Sequence, residues 1–207
     1  GLGDEKSPYE GTFGLDKSTS ADNFSITTKK ALFNVLSTSA VLSDTIPFSV
    51  SDSENSTKKP LLAETLKSDA EKKTLSANIV LRDLNSDKIS EAAIGGLINT
   101  MEESTSANIT FTNQFSKPLK VSSSSHSGLF CNTMKSGASL TARLVKEAGE
   151  VSVEATASDA DAGGFVGYMT SDNSLTVAGS SVDQVISASG NAGGLAGSVT
   201  DGSISVQ

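Results

Sequence analysis

Short apolar segments recur along this chain, alternating with polar residues and separated by Gly, Asn, Asp and Ser. Period-two alternation of this kind predicts half-buried β-strands. The clearest recurrence is Gly163-Gly164-Phe165-Val166-Gly167-Tyr168-Met169, matched by Gly193-Gly194-Leu195-Ala196-Gly197-Ser198-Val199. Gly95-Gly96-Leu97-Ile98-Asn99-Thr100-Met101 and Gly128-Leu129-Phe130-Cys131-Asn132-Thr133-Met134 repeat it with Asn for the later Gly. Leu32-Phe33-Asn34-Val35-Leu36 and Leu62-Ala63-Glu64-Thr65-Leu66 repeat it without the leading glycines. The anchors Leu32, Leu62, Leu97, Phe130, Phe165 and Leu195 are spaced by 30, 35, 33, 35 and 30 residues.

A second alternating segment follows each anchor, and a third short one, such as Val151-Ser152-Val153 or Val185-Ile186-Ser187-Ala188, precedes the next. A three-strand unit cannot bury its apolar edge alone, so such units stack. The fold predicted is all-β: one parallel β-helix, or β-solenoid, over residues 1–207, of about six coils of 30–35 residues. Successive coils would lie about 4.8 Å apart, giving a rod on the order of 25 Å long. The strong bias of parallel crossovers makes it right-handed. Residues 1–28 form an opening coil and partial cap, and six repeat coils over 29–207 carry insertions at 51–60, 67–74 and 112–127. The stretch from Ala63 to Lys73, rich in Ala, Leu, Glu and Lys, could also make a short helix. Ser203-Ile204-Ser205-Val206 reads as a strand awaiting a further coil, from a continuing parent chain or a neighbour.

Stacking turns the repeat into columns. The anchors, and the column four places on (Leu36, Leu66, Met101, Met134, Met169, Val199), are expected to face the core. Each fully buried member contributes roughly 1.5–3 kcal/mol. The column one place after the anchor is Phe33, Ala63, Ile98, Cys131, Val166 and Ala196, which makes Cys131 a packed thiol rather than a nucleophile. The column two places on is Asn34, Glu64, Asn99, Asn132, Gly167 and Gly197. Asn and Gly tolerate a left-handed backbone, so it is read as a bend, with an irregularity at Glu64.

Composition narrows the setting. Hydrophobic residues make up 36% of the chain and Trp is absent, which suits a narrow aliphatic core. The single cysteine excludes an internal disulfide, and no apolar run is long enough to insert in a membrane. Net charge is −8, and no Lys or Arg follows Lys146, where eight of the 24 acids lie. A tail without bases argues against nucleic acid as partner. The Ser, Thr, Asn and Gly content suits an exported, extracellular or cell-surface protein of bacteria.

The Gly-Gly-apolar-apolar-Gly cores at 163–167 and 193–197, with the opening Pro8-Tyr9-Glu10-Gly11-Thr12-Phe13, resemble the GLUG-type repeats of bacterial surface proteins. Gly14-Leu15-Asp16 departs from the continuation usual there. The resemblance implies a β-helical module among the flanking domains of a longer wall-attached or secreted protein, often an adhesin, with no chemistry of its own.

Candidate sites come from the columns. His126, Asp161 and Asn191 each stand four places before an anchor, a corner ladder or a binding site. Asp159 and Asp161, joined by Asp183 or Glu154, are the candidate metal ligands; calcium is the cation such carboxylates suit, but it needs six to eight oxygens, and no other cofactor is implied. Lys29-Lys30 and Lys58-Lys59 precede the first two anchors and could stack as a basic corner touching an acidic glycan or wall polymer. Thr65, Thr100 and Thr133 share a column that Val35, Tyr168 and Ser198 interrupt. Arg82 and Arg143 are the only arginines, and neither has a carboxylate set in its column, as a polysaccharide lyase or hydrolase would need. The expected function is a non-catalytic binding or spacer module presenting loops or a solenoid face to a glycan, host-surface or cell-wall ligand. The alternatives are a structural stalk and a carbohydrate-active enzyme.

Overall fold

The computed structural model describes residues 1–14, 25–27, 29–50, 58–83, 88–146, 149–180 and 183–207. Every strand pairing within it is parallel, and each joins segments about one repeat apart, so the chain is a β-solenoid. Two sheets have six strands each, hence five steps between first and last. The anchor sheet stacks Phe33–Ser37, Ala63–Lys67, Ile98–Met101, Cys131–Met134, Val166–Met169 and Ala196–Val199. The long-strand sheet stacks Thr45–Phe48, Thr74–Leu81, Ser106–Asn113, Ser139–Lys146, Asn173–Val177 and Gly202–Val206. A third sheet holds Ala92–Ile94, Leu119–Ser122, Val151–Ala155 and Val185–Ala188. Between it and the anchor sheet, a corner sheet pairs Ser127–Gly128, Ala162–Gly163 and Ala192–Gly193.

The apolar columns stand in register. Leu36, Leu66, Met101, Met134, Met169 and Val199 are paired in series, and all but Val199 are fully buried. The anchor column is buried from Leu62 to Phe165 and half-buried at Leu32 and Leu195, the two ends. The rings of Phe130 and Phe165 stack along the axis, centroids 5.2 Å apart and planes within 2° of parallel, and Phe111 meets Phe130 edge-on at 6.4 Å. Such pairs contribute beyond their buried area. Cross-coil ion pairs, Lys135–Glu102 at 2.9 Å and Lys120–Glu154 at 3.5 Å, run along the outside.

The first coil is covered. Leu2 bridges Phe33, Tyr9 bridges Leu36, Ile26 bridges Phe48, and Thr12–Phe13 pairs with Val41–Leu42, all in parallel. Tyr9 and Phe13 rest on Phe33 at 4.9 and 5.5 Å, which explains its complete burial. The last coil instead exposes its apolar column: Val206 is 70% exposed and Val185 55%.

Several expectations are corrected. No helix forms from Ala63 to Lys73. Residues 63–67 are a strand, because pairing on both sides outweighs helix propensity. The chain then turns on Asp69, whose Oδ1 accepts from the Lys73 N–H at 2.7 Å and the Thr38 hydroxyl at 3.2 Å. The Lys73 N–H, aided by the Thr38 hydroxyl, holds the Asp69 carboxyl below its ordinary range. The stretch 112–127 is no insertion, since it contains Leu119–Ser122, a full member of the third sheet. Most of 51–60 lies outside the described residues. Finally, the Asn/Gly column is not a left-handed bend. None of Asn34, Glu64, Asn99, Asn132, Gly167 or Gly197 has positive φ, and the second coil keeps the common register around Glu64.

Candidate functional site

The Asn/Gly column owes its composition to a close approach. A Cβ on Gly167 would lie 2.6 Å from the Asn132 carbonyl oxygen and 2.7 Å from the Ser127 nitrogen; one on Gly197 would lie 2.8 Å from Ala162 main-chain atoms. The corner sheet thus presses on this column through the last three coils. Asn132, one coil earlier, fills the same space with hydrogen bonds. Its Oδ1 accepts from the Gly128 N–H at 3.0 Å, and its Nδ2 donates to the Gly95 carbonyl at 3.2 Å and to Asn99 Oδ1 at 3.0 Å. Gly163 and Gly193 are small for a related reason, since a Cβ on either would strike the carbonyl three residues on, of Val166 or Ala196.

Among the described residues, no corner strand stands beside the first two members of the column, Asn34 and Glu64. Here the column opens into a cleft of about 350 Å³ lined by Lys30, Ala31, Asn34, Lys59, Glu64 and Gly1. Lys59 Nζ stands 3.6 Å from Glu64 Oε1, with side chains 47% and 26% exposed. One lysine of each pair, Lys30 and Lys59, therefore lines the same cleft. Lys59 pairs there with Glu64, and Asn34 of the same column shares the lining, a juxtaposition that the spacing of the lysine pairs does not reveal.

The corner ladder of His126, Asp161 and Asn191 is also formed. The Asp161 N–H donates to His126 Nδ1 at 3.0 Å, and the carboxylate Oδ2 lies 3.7 Å from the same nitrogen. As Nδ1 accepts, the ring carries its proton on Nε2. Asp161 Oδ1 accepts from both the backbone N–H and the side-chain Nδ2 of Asn191, at 2.7 and 3.1 Å. Asp161 is 4% exposed, so these bonds compensate a buried charge. His126 also stacks on Tyr168 at 4.8 Å, and the Tyr168 hydroxyl reaches the Thr200 hydroxyl at 3.0 Å. Sequence reasoning treated Tyr168 only as a break in the threonine column, which otherwise runs in register from Val35 to Ser198.

Asp159 is exposed at a turn with φ 57°, and Asp183 is exposed before the strand Val185–Ala188. Among the described residues, no three His, Cys, Asp or Glu side chains gather as a metal site, so Asp159, Asp161 and Asp183 do not come together as one. Asp83 Oδ1 accepts from the Ser116 N–H at 3.2 Å. Cys131 is fully buried, donates to the Thr133 carbonyl at 3.2 Å, and has its thiol pushed up to about 12 by burial. No helix among the described residues is long and apolar enough to cross a membrane.

Comparison with known protein families, with curated proteins and with solved structures finds no match for this chain. The likeness to GLUG-type repeats accordingly rests on the repeat itself, and the β-solenoid is compatible with it.

Proposed function

We propose that this chain is a non-catalytic binding module of an exported bacterial surface protein of adhesin type, whose solenoid face meets a glycan on a host or wall surface. The use the fold makes of its reactive side chains carries this reading. His126 Nδ1 and Asp161 Oδ1 accept main-chain N–H groups of neighbouring coils, and Asp83 accepts another. The one thiol is buried and protonated over the physiological range. Groups committed in this way to cross-coil bonds serve a rigid scaffold, and rigid scaffolds present recognition surfaces. The cleft at Lys30 and Lys59 offers such a surface, with donors and an acceptor in its lining.

A glycan array probed with the intact 207-residue chain tests the reading. Saturable binding to a defined glycan class is the expected result. Absence of binding by folded protein would favour the stalk, and release of product from pectin or alginate would replace the reading with an enzyme.

A further inference from the structure

The cleft between the first two coils differs from the stretch of the same column that runs from Asn99 to Gly197. From Asn99 onward the column is filled, by the Asn99–Asn132 amides and by direct contact of Gly167 and Gly197 with the corner strands. At Asn34 and Glu64 it stays open. Its volume sits near the lower end of the roughly 300–1,000 Å³ typical of small-ligand sites, and one inter-coil step is about 4.8 Å. These dimensions suit one or two sugar rings rather than a peptide strand.

The donor set narrows the ligand. Lys30 and Lys59 bring positive charge to the cleft, and Asn34 adds an amide with both donor and acceptor. Glu64 is acceptor-only when ionised and stands against Lys59. A bare anion would have no use for Glu64, whose charge repels it. A sugar ring bearing a carboxylate has use for all four: its carboxylate meets the ammonium groups, and its hydroxyls donate to Glu64 and Asn34.

We propose that this cleft is a binding site for acidic saccharides of the uronate class, with Lys30 and Lys59 meeting the carboxylate and Asn34 and Glu64 the hydroxyls. The proposal rests on the glycan-binding reading above and names the chemistry of its ligand.

Calorimetric titration of the intact chain with trigalacturonate, neutral trigalactose, and inorganic phosphate tests it. Trigalacturonate should bind, more weakly as salt rises, and the neutral trimer should not. Lys30→Gln and Lys59→Gln should each weaken binding about tenfold, the loss of one charge-assisted contact. Lys117→Gln, an exposed lysine outside the cleft lining, should leave it unchanged, and melting curves would show all three variants folded. Glu64→Gln, which removes the repelling charge but keeps an acceptor, separates a sugar site from an ion site. Relief of repulsion strengthens phosphate binding in either case, so the comparison with trigalacturonate decides: trigalacturonate should gain less than phosphate, because a neutral amide accepts its hydroxyls more weakly than a carboxylate, and an equal gain for both would overturn the saccharide assignment. Trigalacturonate binding unaffected by both cleft variants would also overturn it. A neutral glycan bound on the array, with no trigalacturonate binding, would end this inference and spare the broader reading; no glycan bound by any assay would end both.

Discussion

Asp161 accepts two hydrogen bonds from Asn191 at a single oxygen, 2.7 Å from the main-chain nitrogen and 3.1 Å from the side-chain amide. Its own N–H meanwhile donates to His126 one coil earlier. A carboxylate that is 4% exposed and joins three coils is expected to be structural. Asp161→Ala should cost about 1–3 kcal/mol, because it leaves donors without their acceptor. Asn191→Ala should cost less, since the main-chain bond survives. Urea unfolding of the two variants measures this, and equal losses would show that the main-chain bond contributes little.

Phe130 and Phe165 stack along the axis, both fully buried, whereas Val199 of the core column is 39% exposed. Phe165→Ala should destabilise by about 3–5 kcal/mol, and Val199→Ala by under about 1 kcal/mol. Denaturant midpoints decide the point. Comparable losses at the two sites would contradict a core concentrated in the inner coils.

Much of this was readable in the residues because a parallel stack turns a linear repeat directly into columns. The Leu36-to-Val199 column followed from spacing alone, as did the threonine column and the burial of Cys131. The Asn/Gly column was placed correctly and explained wrongly. Asn and Gly share two properties, tolerance of a left-handed backbone and compatibility with a crowded neighbour, and spacing cannot separate them. Only the corner strands, two residues long and without an apolar signature, show that the second applies. The strand Leu119–Ser122 was missed because it presents only two apolar residues between loops. The strand at Ala63–Lys67 was blurred because its composition favours helix while its neighbours impose a sheet. The lysine corner was visible as two pairs before two anchors, but its carboxylate and amide were assigned to a bend.

Cys131 predicts a pH dependence. Burial raises its thiol from 9.0 to about 12 in the folded chain. The unfolded chain therefore releases the proton first, and stability is lost as pH rises from about 9 towards 12. The slope is at most about 1.4 kcal/mol per pH unit. Cys131→Val removes this contribution, in a column that already holds Val166 and Ile98. Between about pH 8 and about pH 11 the native chain should lose on the order of 2–3 kcal/mol more than the variant. Parallel losses in both would mean that the thiol is not protected. Native Cys131 should likewise resist alkylation at about pH 8 and react once urea unfolds the chain.

Two glycines of the repeat should differ sharply on substitution. Gly167 stands in the column pressed by the corner sheet, where a new methyl would meet the Asn132 carbonyl oxygen at 2.6 Å and the Ser127 nitrogen at 2.7 Å. Both are backbone atoms held in parallel pairings, so neither can move aside without breaking a ladder. Gly194 stands one coil on, and a methyl there meets nothing within 4 Å. Neither glycine has positive φ, so backbone strain does not separate them. Gly167→Ala should therefore cost about 1–3 kcal/mol through overpacking, and Gly194→Ala should change stability by no more than about 0.5 kcal/mol. Thermal melts of the two variants measure the difference directly. If both were tolerated, the corner sheet would have room to retreat, and the glycine at position 167 would need another explanation. If both were damaging, flexibility rather than close approach would be the property that the repeat preserves.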